Sequence, residues 1–166
     1  MSLPYDEPLV ARAPGERQIP EPPRRGEEGG PPCAICGGKT TPAVWSDDNW
    51  TLHPPVGGSL PGAVWLASRT HVDSFSDLPE ELQADFGRVV AHVERAILAL
   101  GDVGRVHLYR WGDGGAHFHV WFIPRPLGML EAAGMYLPLW EDALPNVPDE
   151  ELAAAAERVA SYMPIA

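Results

Sequence analysis

The run His117-Phe118-His119-Val120-Trp121-Phe122-Ile123-Pro124-Arg125 constrains the fold more than any other part of the chain. Its residues alternate in character, and a period of two marks a β-strand. Successive side chains on a strand point to opposite faces. His117, His119 and Trp121 therefore share one face, and Phe118, Val120 and Phe122 form an apolar backing. Pro124 and Pro126 are expected to stop this strand. Two imidazoles side by side on a rigid element suit metal ligation or nucleophilic chemistry near neutral pH. A half-buried strand with two solvent-facing polar positions is the plainer reading.

The chain has two cysteines, Cys33 and Cys36, in Cys33-Ala34-Ile35-Cys36-Gly37-Gly38. Half a zinc site, a redox dithiol and a disulfide all use that spacing. A redox motif belongs between a strand and a helix, whereas here glycines follow at once and fit a tight knuckle. A structural zinc takes four ligands, so with two thiolates available histidine must complete such a site.

Composition narrows the setting. A chain of 166 residues is long enough for one domain with a real core. Its net charge of −11 and pI near 4.8 argue against a nucleic-acid backbone or an anionic membrane as main partner. No apolar run approaches the roughly 18 residues of a membrane span, the start does not read as a signal peptide, and two cysteines make no disulfide framework. A cytoplasmic location is expected.

Residues 1–32 hold eight of the 19 prolines and mixed charges. Such a composition buries little apolar surface and reads as an extended tail ahead of a domain over 33–166. Tyr5, Leu9, Val10 and Ile19 could dock back onto the domain or a second subunit. From Cys33 the pattern is globular. Residues 43–45 and 50–53 form a hairpin pattern around a polar turn, and 62–68 a third strand running into Arg69-Thr70-His71. A long helix follows Pro79, with Glu80 and Glu81 in its first turn. Its stripe is Leu82, Phe86, Val89, Val93, Ile97 and Leu100, and Gly101 ends it. Residues 105–111 and 116–123 are the fourth and fifth strands, joined by Gly112-Asp113-Gly114-Gly115. An amphipathic helix is expected over 149–162. Hairpins around one long helix describe an α+β domain with an antiparallel sheet. His53 reads as an ordinary strand histidine and His92 as solvent-facing, while His107 alternates with Tyr109 and Trp111.

Taken in order, these features resemble the histidine-triad (HIT) superfamily over about residues 33–126. They are Cys-x-x-Cys, a hairpin, a strand ending Arg-x-His, a long helix, and His-φ-His-φ-x-φ-φ-Pro-Arg. The likeness is greatest to its zinc-carrying branch, which includes bacterial HIT hydrolases and galactose-1-phosphate uridylyltransferase. The resemblance implies a five-stranded antiparallel sheet with one long helix and a C-terminal helix. It implies a structural Zn²⁺ on Cys33, Cys36, His71 and His117. It also implies that His119 is the nucleophile, forming a nucleotidyl-histidine intermediate on a nucleotide or nucleotide conjugate. A neutral imidazole attacks phosphorus well and leaves readily once protonated. Its other nitrogen needs a carbonyl acceptor, which the Gly-rich turn could supply. Arg110, Asp113, Gly114, Trp121 and Arg125 are the candidate substrate contacts; glycines such as Gly114 let main-chain N–H groups reach phosphate oxygens. Two positions depart from the family pattern. Trp121 replaces the third triad residue, and indole has one donor and no acceptor. Asp113 replaces a glutamine, bringing negative charge toward an anionic substrate, with Arg110 and Arg125 as offsetting cations. The alternative is a zinc-stabilised nucleotide- or ligand-binding module with altered or lost chemistry. Relatives that dimerise, together with apolar strand edges, make a homodimer plausible.

Overall fold

The computed structural model describes residues 2–6 and 10–165, so Leu9 lies outside the described residues. Five strands form one antiparallel sheet: β1 (Trp45–Ser46), β2 (Trp50–His53), β3 (Val64–Ser68), β4 (Val103–Tyr109) and β5 (His119–Pro126). Their order is β1-β2-β3-β5-β4. The helices are α1 (Glu80–Leu98), α2 (Leu137–Ala143) and α3 (Asp149–Ser161). This is the α+β architecture expected, with α2 added.

Local chemistry explains the elements. The β1–β2 turn closes because the Asp47 carboxylate accepts the N–H groups of Asn49 and Trp50 at 2.9 and 2.8 Å. Glu80 and Glu81 sit at the positive end of α1 and Arg95 at its negative end. Its stripe buries Leu82, Val89, Val93, Ala96 and Ile97. The chain turns away at Gly101, whose φ of +97° suits glycine. On the α1 side of the sheet, Trp50, Leu52, Val64, Leu66, Phe118, Val120 and Phe122 form the core, none more than 1% exposed. The opposite side is only partly covered, where Leu60, Ile123, Ala132 and Leu137 make a second cluster. The rest of that side, with Trp65, His119 and Trp121, is left open as a cleft.

The strands depart from expectation at their ends. β4 begins at Val103 and stops at Tyr109, short of Trp111. β5 begins at His119 rather than Ala116, because Ala116 and Phe118 donate their N–H groups outside the ladder, to Arg25 and Val72. It also runs through Pro124 to Pro126. The N–H of Ser68 donates to the Phe118 carbonyl, so even-numbered β5 residues direct their main-chain groups toward β3. The β3 pairing ends at Val64 opposite Phe122. Pro124 and Pro126 thus direct their missing N–H groups where no partner strand stands, and no ladder bond is lost.

Residues 24–32 lie against the domain as a strap. The Arg24 guanidinium donates to Glu27 at 2.9 Å, to Asp73 and to the Gly112 carbonyl at 2.7 Å. Arg25 bridges to Gly115, and its carbonyl accepts the Ala116 N–H at 2.8 Å. Arg24→Ala leaves the Gly112 carbonyl without its donor and Asp73 with only the more distant Arg110 at 3.7 Å, in a partly buried setting. We expect a loss of about 1–2 kcal/mol, or roughly 3–6 °C in Tm for a chain of this size. Thermal melting by circular dichroism checks it; an unchanged Tm contradicts the strap's role.

Candidate functional site

Four side chains of two kinds, two thiols and two imidazoles, meet where β3 ends, β5 begins and the Cys-x-x-Cys knuckle folds over them. The Sγ atoms of Cys33 and Cys36 and one ring nitrogen each from His71 and His117 all lie within 4.8 Å of one another, a group able to hold a metal ion. His117 Nδ1 stands 3.3 Å from Cys33 Sγ, 3.5 Å from Cys36 Sγ and 3.2 Å from His71 Nδ1. Cys36 Sγ is 3.2 Å from His71 Nδ1. The knuckle itself is set by the Cys36 N–H directed at Cys33 Sγ and by Gly37 bonding back to the Cys33 carbonyl. Both cysteines are free thiols rather than a disulfide. His117 Nε2 lies 2.8 Å from the Ser68 carbonyl, which fixes its N–H there and turns the Nδ1 lone pair to the cluster. At 3% exposure its burial holds the imidazole pKa below 6.5, favouring the neutral form a ligand needs.

Two residues on, His119 faces the other way from the core and lines a cleft of about 240 Å³ with Arg25, Ile35, Trp65, Gly114 and Trp121. Its Nδ1 is 2.7 Å from the His117 carbonyl. Nδ1 is therefore the protonated nitrogen, and Nε2 carries the lone pair. The acceptor is the histidine strand itself, which corrects the expectation that the Gly-rich turn supplies it. The cause is local: the main chain bends where Ala116 and Phe118 leave the ladder. Metal cluster and nucleophile candidate are thus joined through one residue, His117.

The other expected contacts divide. Gly114 and Trp121 line the cleft; Asp113 is exposed at the turn and is not among the lining residues. Arg110 lies over the Phe118 ring at 5.7 Å and donates to the Asp73 carbonyl, away from the cleft. Arg125 is six residues along β5 from His119, about 20 Å at strand spacing. It donates to the Pro126 and Met129 carbonyls. His107 stacks on Tyr109 but is not among the lining residues either.

His53 is structural. It stacks on Trp65 at 4.1 Å, donates from Nδ1 to the Thr41 carbonyl and accepts the Thr51 hydroxyl at Nε2. Burial lowers its pKa below 6.5. The unfolded chain takes up this proton near pH 6.5 and the folded chain resists it. Stability is therefore expected to fall as pH drops below about 6.5. Urea midpoints at pH 7.5 and 5.5 measure the slope, which His53→Gln should reduce; an equal slope in the variant rejects the assignment.

Arg25, Ile35, Thr40 and Trp65 line the cleft without having been singled out in the sequence. A neighbouring hollow of about 550 Å³ shares Thr40, Trp65 and Trp121 with it and adds Lys39, Trp111 and Glu141. The cleft alone falls below the usual ligand-pocket range of about 300–1,000 Å³, and the two together reach it.

No protein-family model matches the sequence, and no curated protein matches it significantly. Solved structures do match. A histidine triad protein from Bradyrhizobium japonicum superposes with a TM-score of 0.62 at 18% identity, covering 76% of this chain and 92% of that one. A Hit-like protein involved in cell-cycle regulation from Bartonella henselae, solved with an unknown ligand, gives 0.59 at 14% identity, covering 78% and 93%. A Zn-bound histidine triad family protein from Mycobacterium smegmatis gives 0.54 at 20% identity, covering 78% and 88%. The chain has the histidine-triad fold. Among the described residues, no helix is long and apolar enough to cross a membrane.

Proposed function

We propose that the protein is a histidine-triad-type nucleotide hydrolase or nucleotidyltransferase working through a nucleotidyl-His119 intermediate. The observation that carries this reading is the 2.7 Å contact between His119 Nδ1 and the His117 carbonyl. It fixes the tautomer in which Nε2 is the nucleophilic nitrogen of a cleft-lining imidazole. Nε2 attacks the α-phosphorus of a nucleotide conjugate, an N–P bond forms, and the bond from phosphorus to the leaving group breaks. Water or a second acceptor then displaces the imidazole, breaking the N–P bond and releasing the nucleotide. Trp121 stands where the family has its third histidine and takes no part in proton transfer; its ring and that of Trp65 offer apolar surface to the substrate.

The metal in this reading is a structural zinc held by Cys33, Cys36, His71 and His117. Two thiolates and two imidazoles are a usual zinc set, and a tetrahedral site with ordinary bond lengths has N–N and N–S edges of about 3.3–3.6 Å. The nitrogen–sulfur and nitrogen–nitrogen separations of 3.2–3.5 Å match those edges. The zinc supplies rigidity, since the residue it holds presents the carbonyl that orients His119. β4 pairs only with β5 among the described strands, and its free edge is where a homodimer would extend the sheet.

Trp121 favours a second reading, a nucleotide-binding module that has lost turnover. A panel comprising a nucleoside phosphoramidate, a mononucleotide ester and a dinucleoside polyphosphate separates the two. Release of mononucleotide from any of them supports the enzyme; binding without release by the wild type supports the module.

A further inference from the structure

The cleft holds His119 but lacks the two arginines expected to receive a phosphate, since Arg110 and Arg125 are engaged elsewhere. One cation among the described residues does line it, Arg25. Its position is specified by its neighbours on the strap. On one side Arg24 is pinned to Glu27, Asp73 and the Gly112 carbonyl. On the other, Gly26 has φ +94°, and a Cβ there would stand 3.2 Å from His71 Cε1 and 3.4 Å from Cys33 Cβ. That glycine lets the strap lie directly on the metal cluster. Between them, the Arg25 carbonyl accepts the Ala116 N–H, and its main chain bridges to Gly115 beside Gly114. Among the described residues the guanidinium has one polar contact, Nη1 to the Pro32 carbonyl at 3.1 Å, and the residue is exposed. Its remaining donors have no partner among the described residues, and the residue lines the cleft. A guanidinium presents paired N–H donors suited to two phosphate oxygens.

We propose that Arg25 is the anion-anchoring residue of the site, contacting the phosphate of the bound nucleotide from a strap ahead of the Cys-x-x-Cys knuckle. The inference rests on the nucleotide reading of the cleft. The strap residues Arg24, Arg25 and Gly26 then act as one device. Arg24 fixes it, Gly26 allows the close approach and Arg25 meets the ligand.

Binding of AMP and of adenosine to the full chain, measured by calorimetry at two salt concentrations, tests this. Arg25→Gln removes the charge together with the paired N–H fork and the Nη1 contact to the Pro32 carbonyl. It should weaken AMP about ten- to hundredfold, leave adenosine within about threefold, and flatten the salt dependence seen for AMP in the wild type. Arg25→Lys should retain part of the AMP affinity. Equal AMP affinity in the wild type and Arg25→Gln overturns the assignment while leaving the nucleotide reading in place. Equal loss of AMP and adenosine overturns it in favour of a structural role for Arg25. A wild-type protein that binds neither ligand overturns the nucleotide reading itself, and this inference with it.

Discussion

His119→Ala is expected to abolish nucleotidyl transfer, lowering kcat by about 10⁴-fold or more, while metal content and Tm stay close to wild type. Losing a covalent nucleophile removes the pathway through the intermediate rather than weakening one contact. Stability should hardly change, because the side chain is only half-buried and its one polar contact among the described residues is to the His117 carbonyl just ahead of β5. His119 is also not a member of the Cys33, Cys36, His71, His117 group. The two histidines of the motif are therefore expected to separate, His117 lying in the group able to hold a metal ion and His119 at the cleft. Steady-state rates with metal analysis on the same preparations read both effects. Retained turnover in His119→Ala rejects the covalent mechanism; lost metal rejects the separation of roles.

The shared face of His117, His119 and Trp121 was legible in the sequence because a strand's period of two is rigid, whereas the division of roles between the two histidines came only from the family resemblance. Once His117, His119 and Trp121 fall on one face, Phe118, Val120 and Phe122 must face the core, and all three are at most 1% exposed. The α1 stripe was equally plain, since apolar spacings of three and four leave one buried side. What local pattern could not show is which main chain meets which. Arg24 and Gly112 are 88 positions apart, and their contact joins a proline-rich segment to the Gly-rich turn. Composition alone reads that segment as tail, so Arg25 passes unnoticed. The reach of β5 through Pro124 and Pro126 depends on where β3 ends, again a non-local fact. Helix α2 has seven residues with Pro138 near its start, too short for a periodic signal, and tertiary contact of Leu137 with the second cluster holds it.

Stripping the metal, or replacing Cys33 with Ser, should lower Tm by about 10 °C or more. The wild type should carry about one zinc per chain. Without the ion, the buried His117 lone pair keeps only weak contacts with two thiols and a second imidazole, in place of a metal bond. A loss of about 4 kcal/mol or more is reasonable for a structural site in a domain that has its own core; at 2–4 °C per kcal/mol this gives the expected shift. The strap should loosen too, because Gly26 lies against His71 and Cys33. Activity should fall with it, since the His117 carbonyl orients His119. Elemental analysis and melting with and without a chelator provide the check. Metal-free protein of unchanged Tm, or a Cys33–Cys36 disulfide in fresh protein, contradicts the metal site.

The central claim is the covalent intermediate, and rapid acid-free quenching of the protein with a labelled nucleoside phosphoramidate tests it most directly. Intact-mass measurement should show one nucleotidyl group per chain in wild type, lost on acid treatment as an N–P bond is. Peptide mapping should place it on His119, with no adduct in His119→Ala and a retained one in Arg25→Lys. Product release with no adduct at any quench time, or an adduct on another residue, would contradict the account.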